Sequence, residues 1–195
     1  MKKRTDFIRL FRHKPSFLKK RKMRIFAQNS KLRNKMCFYL PLESYLAEWL
    51  RYETGSGEVV SLLRGSQEAD IVKYFVQVRP EDVEPDLATQ SVPANMILVP
   101  IIIPETKQKP PSSYNYMPPE AKEALKDSLH TRFKIQLFYD LHKLGCIGKR
   151  QDNLIYAWMA QHGISVQHWD TIAKIYQRRR KSYLSQKNKQ KNAKN

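Results

Sequence analysis

Residues 156–184 read YAWMAQHGISVQHWDTIAKIYQRRRKSYL and carry the pattern on which the fold of the C-terminal part depends. Apolar side chains recur at helical spacing on both sides of Gly163, which predicts two helices joined by a short turn. Trp158 before the turn, and Trp169 and Ile172 after it, are spaced to close a small core between these helices. The pattern is typical of a helix-turn-helix module, whose second helix presents its outer residues to the major groove.

The second helix of this pair carries side chains that suit contact with bases and phosphates. These candidates are Gln167, His168, Thr171, Lys174, Arg178, Arg179, Arg180 and Lys181. We expect the first three to meet base edges and the basic residues beyond them to contact phosphates. Two positions depart from the motif, since Met159 stands where it prefers a small residue and His162 where it prefers an apolar one. The alternative is a three-helix bundle with a solvated basic end.

Two segments, GCIGKRQDNLIYAWM at 145–159 and IAKIYQRRR at 172–180, resemble uncharacterised helix-turn-helix-like DNA-binding proteins of bacterial mobile elements or prophages. The resemblance implies duplex DNA as the partner and, for a bacterial chain, association with the nucleoid. It assigns a role to no individual residue.

Basic charge is concentrated at the two ends of the chain, whose net charge is +18. Residues 1–35 contain 14 Lys and Arg and one acid, and residues 174–195 contain nine Lys and Arg and no acid. Residues 36–173 contain 13 basic and 17 acidic side chains. Cationic arms of this kind bind nucleic acid by neutralising phosphates. We therefore predict phosphate contacts for the densest N-terminal cluster, formed by Lys19, Lys20, Arg21, Lys22 and Arg24.

The order of the predicted elements indicates an α+β chain with several distinct parts. The C-terminal module has three helices, of which the first is long and starts at Pro118 and Pro119. The tail has almost no apolar side chain to bury, so we expect both basic termini to be disordered. The predicted parts are a basic arm at 1–35, a small α/β domain at 36–104, a proline-rich linker at 105–118, the helical module at 119–184 and a basic tail at 185–195.

The N-terminal domain is predicted to have the order β-α-β-α-β. Its strands are expected at 36–42, 58–63 and 94–103, with amphipathic helices between them. Ser66 is a plausible N-cap for the second of these helices. Pro100 places the last strand at a sheet edge or a bulge, because proline has no N–H to donate to a ladder.

Two enzymatic or metal-binding alternatives remain open. The residues PD at 85–86 and ETK at 105–107 resemble a nuclease signature, in which Asp86 and Glu105 hold Mg²⁺ and Lys107 stabilises developing charge. Glu68 would be an outer ligand in such a site. A zinc site would use His142, Cys146, His162 and His168. Both patterns consist of common residue types, so the sequence predicts no catalytic residue, no resident metal and no cofactor.

The predicted partner is nucleic acid, with DNA favoured over RNA. In an RNA-binding or ribosome-associated alternative, Tyr114, Tyr116 and Tyr183 would stack on bases. A structural adaptor with solubilising tails is a further alternative, and residues 36–104 are a possible homodimer interface. Cys37 and Cys146 form no disulfide framework, and the longest apolar run, at 96–103, is too short to span a bilayer. We therefore expect a cytoplasmic protein without a membrane partner.

Overall fold

The computed structural model describes residues 36–86, 91–145 and 151–192 of the chain. Predictions for the N-terminal arm at 1–35 and for Cys146 lie outside these residues. The described part contains five α-helices and a two-stranded antiparallel sheet, which confirms the mixed α+β class. In chain order the elements are β1 (Cys37–Glu43), α1 (Ser44–Thr54), α2 (Gln67–Phe75), β2 (Met96–Ile102), α3 (Pro119–Gly145), α4 (Gln151–Gln161), a 3₁₀ turn (Val166–His168) and α5 (Trp169–Asn192).

The sheet has one face in the core and one edge closed by a loop. Strands β1 and β2 pair over seven residues. Outside β2, the Val60 N–H donates to the Pro100 carbonyl at 2.8 Å, and the Ile102 N–H donates to the Val60 carbonyl at 2.9 Å. Pro100 thus has its missing N–H on the outer edge, away from β1, and its predicted edge position is confirmed.

The predicted strand at 58–63 is wrong, because only Val60 of this segment pairs with the sheet, in an isolated bridge to Ile101. Val60 is fully buried, whereas Ser61 and Leu63, which follow it in the sequence, are exposed. The chain then turns directly into α2, where the Ser66 N–H donates to the Leu63 carbonyl at 3.1 Å. One buried apolar residue does not sustain a strand.

Helix α2 is held at both ends by side-chain hydrogen bonds. At its start, the Ala69 N–H donates to Ser66 Oγ at 3.2 Å, which confirms the predicted N-cap. At its end, Lys109 Nζ donates to the carbonyls of Lys73, Tyr74 and Val76 at 3.1, 2.7 and 2.9 Å. A cation at this position satisfies carbonyls that have no helical partner and complements the helix dipole.

The proline-rich segment 105–118 packs against the fold and does not hold two separate bodies apart. Lys109 bonds to the end of α2, and Tyr116 pairs with Gln77 in an isolated bridge. Met117 is fully buried in the core. The prolines make the segment extended, and its few apolar and cationic side chains attach it to its neighbours.

Phe133 of α3 is the centre of an aromatic cluster that joins the two predicted parts of the chain. Its ring centroid lies 5.3 Å from that of Tyr45, 5.4 Å from that of Trp49 and 5.8 Å from that of Trp158. Tyr45 and Trp49 belong to α1, and Trp158 belongs to α4. A continuous hydrophobic core therefore runs from the sheet to the C-terminal helices.

The prediction of disorder from residue 185 is wrong up to Asn192, because α5 continues through this segment. No Gly or Pro follows Gly163 in the sequence, and Lys and Gln are good helix formers. Residues 184–190 are all exposed, so this end extends a helix that is anchored upstream and adds no packing of its own. Helix α3 is continuous from Pro119 to Gly145, in agreement with the long first helix predicted for this module.

Candidate nucleic-acid interface

Helix α5 is anchored to the core along one face. Ile172, Ala173 and Tyr176 are buried, and burial raises the pKa of the Tyr176 hydroxyl against the opposing effect of Arg180. Two turns further on, the half-buried ring of Tyr183 lies 5.3 Å from that of Phe138 on α3. The helix is thus fixed for about 16 Å before it extends beyond the core.

The opposite face of α5 is basic and exposed. Lys174, Arg178 and Lys181 follow one another at spacings of four and three, which places them on one side of the helix. Asp170 is the single acidic residue in the sequence from 169 to the end. The exposed predicted contacts on this helix are Thr171, Lys174, Arg178, Arg179, Arg180 and Lys181, and Lys187 and Lys189 add two more exposed cations.

The cations at 178–181 differ in their surroundings. Arg180 Nη1 donates to Gln151 Oε1 at 3.1 Å, so this side chain lies against the start of α4. The side chains of Arg178, Arg179 and Lys181 have no hydrogen bond or ion pair within the described part of the chain. Among the four cations at 178–181, these three side chains therefore remain available to an anion.

The turn before α5 requires glycine for two reasons. Gly163 has a φ of 68°, in the left-handed region that side chains disfavour. A Cβ there would also meet the ring of Tyr52 at 3.0 Å. The turn is closed by the Ile164 N–H, which donates to the Met159 carbonyl at 2.9 Å. The predicted break between two helices at Gly163 is confirmed.

The three candidate base contacts, Gln167, His168 and Thr171, differ in their exposure to solvent. Gln167 and Thr171 are exposed, but His168 lies half-buried against α1. Its Nε2 is 3.7 Å from Glu48 Oε1, and its ring is 6.2 Å from that of Tyr45. The availability of His168 for a base edge is therefore reduced.

Glu48 closes the start of the 3₁₀ turn that leads into α5. The Ser165 N–H donates to Glu48 Oε2 at 2.7 Å. Within the turn, the His168 N–H donates to the Ser165 carbonyl, and the Trp169 N–H donates to the Val166 carbonyl. Three of the backbone donors near this helix start are thus used internally.

A buried polar network surrounds His162, which is one of the two positions that depart from the helix-turn-helix pattern. His162 is almost fully buried, stacks on Trp158 at 4.1 Å and donates from Nδ1 to the Trp158 carbonyl at 2.8 Å. Its Nε2 lies 3.2 Å from Gln136 Nε2, and Gln136 also donates to Glu53 Oε1 at 3.3 Å. Trp158 Nε1 in turn donates to Asp140 Oδ2 at 3.0 Å. The sequence identified His162 as a departure from the motif and held no signal for its partners on α1 and α3.

The residues of the nuclease alternative have other partners. Asp86 accepts from Lys122 Nζ at 2.6 Å and from the Tyr39 N–H at 3.4 Å. Glu68 is buried and pairs with Arg132 at 3.3 Å. Glu105 and Lys107 are both exposed and line an open groove near Met36.

The residues of the zinc alternative are also dispersed among different contacts. His142 stacks on Phe138 at 5.2 Å, His162 belongs to the polar network and His168 lies beside Glu48. In the residues that the structure describes, no three His, Cys, Asp or Glu side chains form a group that could hold a metal.

No protein-family model matches this chain, and no curated protein or solved structure matches it significantly. The resemblance to mobile-element DNA-binding proteins stays a prediction. None of the described helices is long and apolar enough to cross a bilayer. The exposed positive charge of α5 is the feature of the described residues that bears on function.

Proposed function

We propose that this protein binds nucleic acid, with duplex DNA as the ligand, through the exposed basic face of α5. The observation that supports this most is the alignment of Lys174, Arg178 and Lys181 on a helix whose other face is buried. Their binding to phosphates would release condensed counterions, which is the main source of affinity in such complexes. The proposed activity is binding without catalysis, in the cytoplasm.

The basic termini would extend the contact made by α5. The 14 Lys and Arg of residues 1–35, including the 19–24 cluster, suit phosphates that flank the site. Beyond the core, Lys187 and Lys189 extend the cationic surface along the last turns of α5. With the cations of α5, these basic segments would clamp a duplex through its phosphates.

The surroundings of three tyrosines favour a duplex over single-stranded RNA as the ligand. Tyr114 and Tyr116 are half-buried, with Lys109 Nζ 5.9 Å from the Tyr114 ring centroid and Tyr116 paired to Gln77. Tyr183 packs against Phe138. Aromatic rings that stack on bases need an open face, and the rings of Tyr114 and Tyr183 are engaged in the fold, while Tyr116 is half-buried.

The proposal is tested by measuring binding of the full chain to a 20-base-pair duplex over a salt series. Replacing Arg178 and Lys181 by Gln should lower the slope of log affinity against log salt by about 1.8, since each lost phosphate contact removes about 0.9. The control replaces Arg64 and Lys107 by Gln, because both are exposed and unpaired but lie in the groove near Met36. Equal decreases of this slope in the two double variants would show that only the net charge of the protein matters, and would contradict an interface on α5. Tighter binding to single-stranded RNA at matched salt would contradict the choice of duplex DNA.

A further inference from the structure

The charge on α5 changes sign along the helix. Asp170 in the first turn is exposed, and the nearby Glu48 carboxylate accepts from the Ser165 N–H. The cations begin one turn later at Lys174 and continue to Lys189, a distance of about 22 Å along the axis. The N-terminal end of α5 is therefore acidic, and the remainder is basic.

The acidic end coincides with the residues that a helix-turn-helix protein would use to read bases. Gln167 and Thr171 flank Asp170 in the sequence, and Gln167 Nε2 lies 3.3 Å from His168 Nε2. To reach base edges, this end must enter a groove between two rows of phosphates. Three of its backbone donors are already engaged, since the Ser165 N–H bonds to Glu48 and the His168 and Trp169 N–H groups bond within the 3₁₀ turn.

From this arrangement we infer that α5 lies along the phosphate backbone and selects duplexes without regard to their sequence. Asp170 is the residue that keeps the first turn away from the bases, and Lys174, Arg178 and Lys181 follow the phosphates. The ligand class is thus duplex nucleic acid of any sequence. The inference rests on the proposed function and concerns the same site.

The test compares acidic first-turn residues on two different helices. Asp170→Asn should tighten binding of the full chain to every duplex about threefold, which is the effect of one unit charge at about 6 Å in water. Asp170→Lys, a change of two charges, should tighten it roughly tenfold. The control is Glu120→Gln, an exposed first-turn acid of α3, about 27 Å along that helix from the Phe138 contact with α5. It should leave affinity unchanged.

Binding to a pool of random duplexes, followed by sequencing of the bound fraction, completes the experiment. We expect no enriched motif, and Gln167→Ala with Thr171→Ala should change affinity equally on all duplexes. An enriched motif that this double variant abolishes would overturn the inference and leave the proposed function intact. An unchanged affinity in Asp170→Lys would also overturn it. Absence of binding by the natural chain at low salt would refute the proposed function itself, and the inference with it.

Discussion

Replacement of Phe133 by alanine tests whether the chain folds around one core. Phe133 is fully buried and contacts aromatic rings of α1 and α4. Loss of a buried phenylalanine costs about 3–5 kcal/mol through lost burial and the cavity left behind. Three neighbouring rings at 5.3–5.8 Å limit how far the site can collapse, because large planar groups cannot shift into the space independently. We therefore expect a loss near the top of that range, about 4–5 kcal/mol.

The assay is urea unfolding, followed by tryptophan fluorescence and by far-ultraviolet circular dichroism. The chain has three tryptophans, of which Trp49 lies on α1 and Trp158 and Trp169 lie on the C-terminal helices. Fluorescence thus reports on both predicted parts, and circular dichroism reports on the helices together. If the core is shared, both probes should give one coincident transition, shifted to lower urea by the substitution.

The matched controls lie at and beside the same position. Phe133→Leu keeps most of the apolar volume and loses the ring contacts, so it should cost about 1–2 kcal/mol. Ile135→Ala, at a site that is 53% exposed on the same helix, should cost less than about 1 kcal/mol. Two separate transitions, of which Phe133→Ala shifts only one, would refute the shared core. If Phe133→Ala lowers the free energy of unfolding no more than Ile135→Ala does, the burial of the Phe133 ring is refuted.

Three further outcomes are expected. Lys109→Met should lower the free energy of unfolding by about 1–3 kcal/mol, because three carbonyls at the end of α2 lose their donor. An unchanged midpoint of thermal unfolding would contradict this role of Lys109. Trp169→Ala should lower the free energy of unfolding by less than Phe133→Ala does, since Trp169 is only half-buried and stacks at 5.4 Å on an exposed Tyr156. An equally large decrease in urea unfolding would argue against this placement of Trp169. Burial raises the pKa of Tyr45 to about 12, so the unfolded chain loses this proton at a lower pH than the folded chain. The free energy of unfolding should therefore fall as pH rises from about 10 to 12. Tyr45→Phe should flatten this decline in the urea midpoint, whereas Tyr74→Phe, at an exposed site, should not.

Features that depend on a few neighbouring residues could be predicted from the sequence. The cap at Ser66, the edge position of Pro100 and the turn at Gly163 each follow from a rule about one residue's hydrogen bonds or φ angle. The helices on both sides of Gly163 follow from the spacing of apolar residues. The concentration of positive charge at the two ends of the chain is a property of the sequence itself.

The failures of sequence reasoning all involve what surrounds a segment in space. The pattern at 58–63 has strand propensity, but only Val60 reaches the sheet. The tail beyond residue 185 has nothing to bury, yet α5 continues through it because a preceding anchored turn removes the cost of nucleating a helix. Neither outcome follows from the segment by itself, because both depend on residues outside it.

Some features of the candidate site follow from the sequence, and others depend on the tertiary structure. Its cations, their helical spacing and the presence of Asp170 were determined by the sequence alone, because they lie within one continuous helix. Only the packing of α5 on α3 and α4 decided that Lys174, Arg178 and Lys181 face outwards. Only the approach of α1 decided that Glu48 closes the first turn, since 117 residues of chain separate it from Ser165. Contacts across such separations depend on how whole helices pack, and no local pattern encodes the partner that a side chain meets there.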